Sequence, residues 1–267
     1  MKLNDLKNQK FDIVIQGGQS NAEGCGFGPV DDEYILNDKI LYLYPEKQAY
    51  ELPEGVLVEY ADKPFIIEPA SERVSGENIF GDFSLTFAEE YLKNGNLKND
   101  RKLLIVRAAI GGTGFQKKHW GINDPIYLKM IEMVDFALSL NPENKIVAFL
   151  WHQGEHDAFE KNSPDNFYKQ LSTLISDMRM KYGKTLPFIA ADFVNEWKSE
   201  NIEICEPIVE KIKLITQESA YSAFIETSDL LSNNQKHGSG DKLHFCRQSL
   251  HDLGRRYFKE YKRILGE

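Results

Sequence analysis

Basic residues are few and scattered. Lys and Arg number 32 against 41 Asp and Glu, no run of five or more basic residues occurs, and the formal net charge is −9. A polyanion would be repelled, so nucleic acid is not an expected partner. Cysteine is scarcer still. Cys25, Cys205 and Cys246 are too few and too dispersed for a disulfide framework or a zinc ribbon, and each reads as a small buried residue. Long apolar runs are missing as well, with nothing near the ~18 residues of a membrane span, and the N-terminal MKLNDLKNQK lacks the apolar core of a signal peptide. A cytoplasmic protein with no membrane partner is expected, or a secreted one if a signal has been removed.

What the chain does have is core-forming material. Apolar residues make up 42% of its 267 residues, with 16 Phe and 12 Tyr. That length suits a single α/β domain over residues 1–267. Near-continuous apolar runs at Phe11–Ile15, Lys102–Ile110, Lys145–Trp151, Leu186–Phe193 and Ala223–Thr227 read as buried strands, and Ile40–Tyr44 has the same character. Between them lie helical stripes: Phe83, Phe87 and Tyr91; Ile126, Met130 and Val134; Phe167, Leu171 and Ile175; Ile208, Ile212 and Ile215; Leu250, Leu253 and Tyr257. Strands of this kind alternating with amphipathic helices mean a sheet covered on both faces. The expected architecture is a three-layer α/β/α sandwich around a mostly parallel, five-stranded sheet of flavodoxin-like type.

The stretch Phe11–Gly28, FDIVIQGGQSNAEGCGFG, is a strand running into a glycine-rich turn that holds Ser20. A serine there is presented at the end of the sheet, with glycines letting a reacting carbonyl approach the backbone. GQSN by itself suits a plain strand-to-helix turn equally well, and it lacks the G-x-S-x-G spacing of the usual nucleophile elbow. Two other strands also end in polar, glycine-containing turns, Gly111–Gly114 and Gln153–Asp157. Ligands gather at the carboxyl ends of strands in such sheets, so the three turns should converge.

A serine nucleophile needs a base, a group to orient that base and donors aimed at the oxyanion. Among six histidines, His244 stands out in Asp241-Lys242-Leu243-His244, on a loop just before the last helix. Asp241 can curl back to its Nδ1 and leave Nε2 to face Ser20, although the same four residues also suit an ordinary surface loop. Oxyanion donors are available in the Ser20 amide, an amide of the Gly111-Gly112 turn and the side chain of Gln153. Asn21 is a further amide beside the serine, or a cap for its turn.

GQSN after the first strand, GGT after a later one, WHQGE after the next and DKLHF before the final helix occur in that order. Together they resemble the SGNH hydrolases and, within them, carbohydrate esterase family six, the sialate O-acetylesterase-like family, over roughly Phe11 to Phe258. The resemblance implies Ser20 as nucleophile, His244 as base and Asp241 as its orienter, with Gly112 and Gln153 completing the oxyanion hole beside Ser20. It also implies an acetylated carbohydrate as substrate, an acetylated xylan fragment or O-acetylated sialic acid, and no cofactor. Gln153 fits the narrower family, since the wider superfamily carries asparagine there. Ala22-Glu23 departs from relatives that have methionine after the nucleophile, and Glu23 has no assigned role.

Gln19 and Trp120 are the expected substrate contacts, Trp120 by stacking on a sugar ring, while Trp197 suits stacking and packing equally. Glu155 either assists His244 as a second acid or anchors its turn. Arg107, within a buried strand, should pair with a carboxylate. The irregular passage 45–81, with Pro53, Pro64 and Pro69, reads as a wall of the substrate cleft. His152-x-x-Glu155-His156 matches a zinc-protease pattern, but that pattern needs a helix. Here it follows a strand and contains Gly154, which costs a helix interior about 1 kcal/mol, so no metal is expected. A silent carbohydrate-binding protein, or an esterase or thioesterase for other acyl groups, would use the same fold. The full set of catalytic residue types argues against the former and the four-block pattern against the latter.

Overall fold

The computed structural model describes residues 6, 8–52, 55–60 and 65–267, without the side chains of 47–60. Strand β1 (Lys10–Gly18) sets the layers. Phe11, Ile13 and Ile15 enter one core and Val14 the other, the two-residue period of a strand buried on both faces. Asp12 interrupts the apolar run without leaving the interior. It is fully buried, and it accepts from Arg101 Nε at 2.6 Å and Tyr91 Oη at 2.8 Å, so its charge enters the core paired.

The remaining strands in chain order are β2 (Gly26–Phe27), β3 (Ile40–Tyr44), β4 (Lys47–Leu52), β5 (Gly55–Tyr60), β6 (Ile66–Pro69), β7 (Arg73–Ser75), β8 (Asn78–Gly81), β9 (Arg101–Arg107), β10 (Lys145–His152), β11 (Phe188–Ala191) and β12 (Ser222–Ile225). Seven of them form the central sheet in the order β12-β11-β10-β1-β9-β3-β6. Every neighbouring pair is parallel except β3 with β6. The sheet is thus wider than the five strands expected. Ile40–Tyr44 joins it as β3, and β6 closes the edge, where Pro69 has no N–H to lose.

Helices Phe83–Lys93 and Arg247–Leu265 cover one face, and Pro125–Ser139, Pro164–Tyr182 and Ile202–Glu218 the other. The result is a three-layer α/β/α sandwich. The methionines Met130, Met133 and Met178 fill the second of these cores. The passage 45–81, expected to be irregular, carries secondary structure of its own in its described part. That part forms the β4–β5 hairpin, the edge strand β6, and strands β7 and β8, which make a small sheet with β2, and Pro53 and Pro64 lie outside the described residues.

After β1 the chain builds β3, β6 and β9 on one side and then crosses to β10 on the other. The switch point therefore flanks β1, and the turns after β9, β1 and β10 open into one crevice.

Helix Arg247–Leu265 lies so close to Phe83–Lys93 that a Cβ on Gly254 would sit 2.0 Å from Thr86 Oγ1 and 2.1 Å from Phe83 O. Gly254→Ala should therefore cost about 1–3 kcal/mol and lower Tm by roughly 3–10 °C. An unchanged thermal midpoint would show that the two helices yield without cost.

Candidate active site

The crevice begins with a backbone contact. Gln19 N donates to His152 O at 2.9 Å and Ile110 N to Gly18 O at 3.1 Å, so the ends of β1, β9 and β10 are tied side by side. Gly18 has φ +131°, and a Cβ there would lie 2.0 Å from His152 O; only glycine permits this approach. The chain then turns into the short helix Ser20–Glu23, which puts Ser20 over the sheet edge, 7% exposed.

His244 Nε2 lies 2.9 Å from Ser20 Oγ, and His244 Nδ1 lies 2.9 Å from Asp241 Oδ2 and 3.0 Å from Oδ1. Because the aspartate faces Nδ1, that nitrogen carries the ring proton and Nε2 is left to accept from the serine hydroxyl. The local sequence dictates this loop. Asp241 Oδ1 also accepts from the amides of Leu243 and His244, each at 3.2 Å, curling the three-residue spacing back on itself. Burial works against the charge on Asp241, but hydrogen bonds from His244 and Asn233 outweigh it and lower its carboxyl to about 2.

Asn233 escaped the sequence reading. It is fully buried and donates to Asp241 Oδ2 at 2.9 Å and Cys25 O at 3.1 Å, while its Oδ1 accepts from Phe27 N at 3.1 Å. The signal was present in Ser232-Asn233-Asn234-Gln235, a capping box with both of its reciprocal bonds made. Asn21 plays the matching part on the serine side. It donates to Glu155 Oε1 at 2.9 Å and Leu243 O at 3.2 Å and accepts from Phe245 N at 3.1 Å, clamping the histidine loop to the serine turn.

The Gly111-Gly112 turn abuts the serine, since a Cβ on Gly111 would lie 3.5 Å from Ser20 Cβ. Its fastening is Glu23, whose Oε2 accepts from Gly111 N at 2.7 Å and whose carbonyl accepts from Arg107 Nη2. Arg107 also pairs with Asp82 at 3.4 Å, the carboxylate partner expected of it.

One expected role changes. Trp120 is a core residue, fully buried, with Nε1 donating to Thr113 Oγ1 at 3.0 Å and its ring 4.9 Å from that of Trp151; it has no face left for a sugar. Gln153 is 1% exposed; one hydrogen of its amide goes to Asp157 Oδ2 at 2.6 Å, bracing its own turn, and the same nitrogen lies 3.4 Å from Gln19 Oε1 and from Thr113 O. Gln19 lines the cavity, and its Oε1 accepts from His156 N at 3.1 Å. Asp157, also missed, holds the neighbouring turn through Phe115 N and Gln116 N, both at 2.9 Å.

Glu155 does not reach His244. It is 2% exposed, bonded to Asn21 and 3.2 Å from His152 Nε2. Burial opposes its charge, yet the adjacent His152 and the Asn21 amide hold the carboxyl below its ordinary value. His152 is buried at the end of β10 against Phe245, whereas His156 lines the cavity, so the two histidines of the zinc-like pattern do not share a face.

A cavity of about 500 Å³ opens over Ser20 and His244, and its lining includes Gly112, Phe159, Trp197 and Leu243. Cys25 lines it too, the exception among three cysteines of which Cys205 and Cys246 are buried. Burial pushes the Cys25 thiol up to about 11, far from a reactive thiolate. Among the described residues no helix is long and apolar enough to cross a membrane.

The model of one protein family, described as carbohydrate esterase, sialic acid-specific acetylesterase, matches residues 10–263. No curated protein matches the chain. Among solved structures, NanS aligns at 17% identity with a TM-score of 0.72, covering 97% of this chain and 98% of its own. A protein from Arabidopsis thaliana aligns at 19% identity and TM-score 0.64, covering 96% and 98%. A carbohydrate acetylesterase from Xanthomonas citri aligns at 18% identity and TM-score 0.67, covering 96% of this chain and 57% of its own. At these identities the likeness is one of fold.

The carboxyl of Asp241 titrates at about 2 in the folded chain and near ~3.9 when unfolded. Its stabilising contribution is complete above ~3.9 and disappears as pH falls through about 2. Asp241→Asn should therefore lose less stability than wild type across that acid window. Thermal midpoints measured against pH check this, and equal slopes would show that Asp241 is not linked to folding.

Proposed function

This chain belongs to the carbohydrate esterase family of sialic acid-specific acetylesterases, and on that premise we propose that it removes O-acetyl groups from carbohydrates through an acyl-enzyme on Ser20. The observation that carries the reading is the line from Ser20 Oγ through His244 to Asp241, with both links at 2.9 Å, opening into the cavity. In this catalytic triad Ser20 Oγ attacks the ester carbonyl carbon as its proton passes to His244 Nε2. Asp241 holds the ring in the required tautomer and stabilises the imidazolium. The intermediate collapses with cleavage of the bond to the sugar oxygen, which takes the proton from His244. Water then attacks the acyl carbon, again giving its proton to Nε2, and Ser20 is restored as acetate leaves.

The oxyanion hole in this reading consists of the Ser20 and Gly112 amides, supported by the position of both residues on the cavity. The Gln153 side chain completes it, since its amide nitrogen carries a second hydrogen besides the one given to Asp157. Glu23 becomes a positioning residue, since its bond to Gly111 N orients the peptide that precedes the Gly112 amide.

Ser20→Ala and His244→Ala should each lower acetate release from an acetylated oligosaccharide by at least about 10³-fold, with Asp241→Asn in between. Labelling by a fluorophosphonate should vanish in Ser20→Ala, whereas full turnover in that variant would sink the mechanism. Glu23→Ala should lower kcat roughly tenfold or more at nearly constant KM, a fraction of the ~10²–10³ lost with an oxyanion donor. Glu23→Gln, whose amide oxygen can still accept from Gly111 N, should recover most of it. Steady-state kinetics decide the matter: wild-type kcat in Glu23→Ala would show that the tether has no bearing on the reaction.

A further inference from the structure

Asp157 differs from the other deeply buried aspartates. Asp12 faces Arg101 at 2.6 Å, Asp82 faces Arg107 at 3.4 Å and Asp192 faces Lys198, whereas no lysine or arginine pairs with Asp157 among the described residues. The adjacent His156 feels its charge, but burial pushes that imidazole towards its neutral form, and Lys117 nearby is held by Glu160 at 3.2 Å. Asp157 is fully buried all the same. Its partners are four neutral donors, Gln153 Nε2 at 2.6 Å and Phe115 N at 2.9 Å on Oδ2, Gln116 N at 2.9 Å and Asn162 Nδ2 at 2.8 Å on Oδ1. A carboxylate taken out of water without a cation is costly, and an apolar side chain of similar size would serve stability better. Such a residue marks a place where geometry matters more than stability.

What Asp157 joins is the far side of the reaction site. Phe115 and Gln116 follow the turn that carries Gly112, Gln153 begins the turn after β10, and Asn162 leads into helix Pro164–Tyr182. The carboxylate also decides which way round the Gln153 amide lies. Every neighbour of its nitrogen is an acceptor, Asp157 Oδ2 at 2.6 Å and Gln19 Oε1 and Thr113 O at 3.4 Å, while its Oε1 is buried without a hydrogen-bond partner. Turned over, the amide would set Oε1 against a carboxylate oxygen and present no hydrogen from the nitrogen's present position. Asp157 has little room to yield. A Cβ on Gly114 would lie only 2.7 Å from Oδ2, the oxygen that holds Gln153.

We infer that Asp157 is a positioning residue for the reaction, fixing the Gln153 amide nitrogen-first so that its second hydrogen is kept for the oxyanion. This rests on the acyl-enzyme reading with Gln153 as a donor, and it names the residue that sets that donor. Being fully buried, Asp157 acts through Gln153 and does not touch the substrate.

The experiment is a double-mutant cycle in kcat and KM for acetate release from an acetylated oligosaccharide, using Asp157→Asn, Gln153→Ala and the two combined. Gln153→Ala should lower kcat by ~10²–10³, the worth of one oxyanion donor. Asp157→Asn leaves one side-chain acceptor oxygen in place of two and lets the Gln153 amide turn over. It should lower kcat by roughly 10–100-fold at nearly constant KM, part of the loss of the donor itself. In the Gln153→Ala background the same substitution should cost about threefold or less, because the donor it sets is already gone. A carboxylate that only holds the fold would cost the same in both backgrounds. Equal losses, or wild-type kcat in Asp157→Asn, would overturn the inference. Should Asp157→Asn fail to fold, Gly114→Ala tests the same oxygen from the other side. Gly114 has no positive φ, so the backbone accepts alanine while the new methyl group displaces Oδ2. Its kcat should fall by roughly tenfold, again only where Gln153 is present, and a wild-type kcat there would overturn the inference as well. The layers separate cleanly. A large loss in Gln153→Ala with additive Asp157→Asn removes this inference alone, wild-type kcat in Gln153→Ala removes Gln153 as a donor, and turnover that persists in Ser20→Ala removes the acyl-enzyme reading beneath both.

Discussion

Gly18 and His152 approach so closely that no side chain fits between them, and the rest of the site depends on that approach. Because β1 runs between β9 and β10 with its last residue against His152, three turns distant in sequence share one crevice. The Gln19 amide on His152 O fixes where the chain leaves the sheet and so where Ser20 stands. A slip of one residue in either ladder would turn Ser20 to the other face and separate it from His244. A hydrogen bond between residues 224 positions apart, Ser20 and His244, thus rests on the register of parallel strands.

Around that frame the polar groups are bound in chains. Asp12 joins Arg101 and Tyr91 at one end of the sheet. Nearer the other, Asp82 accepts from Gln16 at 2.7 Å and Tyr42 at 2.8 Å and pairs with Arg107, which continues through Glu23 to Gly111. Buried charges of this sort are tolerated because each is met by an opposite charge or a donor. The turn 152–156 is less well satisfied. His152 Nδ1, Gln153 Oε1 and Glu155 Oε2 are buried without a hydrogen-bond partner, at a site where polar atoms gather beneath the cavity. Unpaired groups of this kind concentrate where a fold serves chemistry as well as stability.

The site thereby separates two tasks. Ser20, His244 and Asp241 sit on turns held from beneath by Asn21, Asn233, Asp157 and Glu23, none of which needs to touch a substrate for its geometry to matter. Much of the remaining cavity lining comes from different elements, the helices Glu155–Phe159 and Asn195–Glu200 and the residue before His244. Reaction type and substrate choice can then vary independently on one scaffold.

Much of the fold is legible in the sequence, for a local reason. Apolar runs of strand length and stripes at helical spacing follow from the covalent period of each element, so the layers can be read directly. Asp241 and His244 lie three residues apart on one loop, and Ser20 sits at the end of a strand, so their pairing needs only that the loop and the turn meet. Trp120 and Trp197 look alike in the sequence, each in a loop or short helix after a strand. Tertiary packing alone puts one against Trp151 in the core and the other at the cavity, because burial depends on what every other element covers. The same holds for Glu23, whose partner Gly111 is 88 residues away. Local periodicity and spacing, which the amino-acid order carries unaided, specify the layered fold and mark the three side chains of the proposed reaction. Which neighbours brace them and which surfaces stay open follows from the packed chain, since those outcomes depend on contacts between residues far apart in sequence.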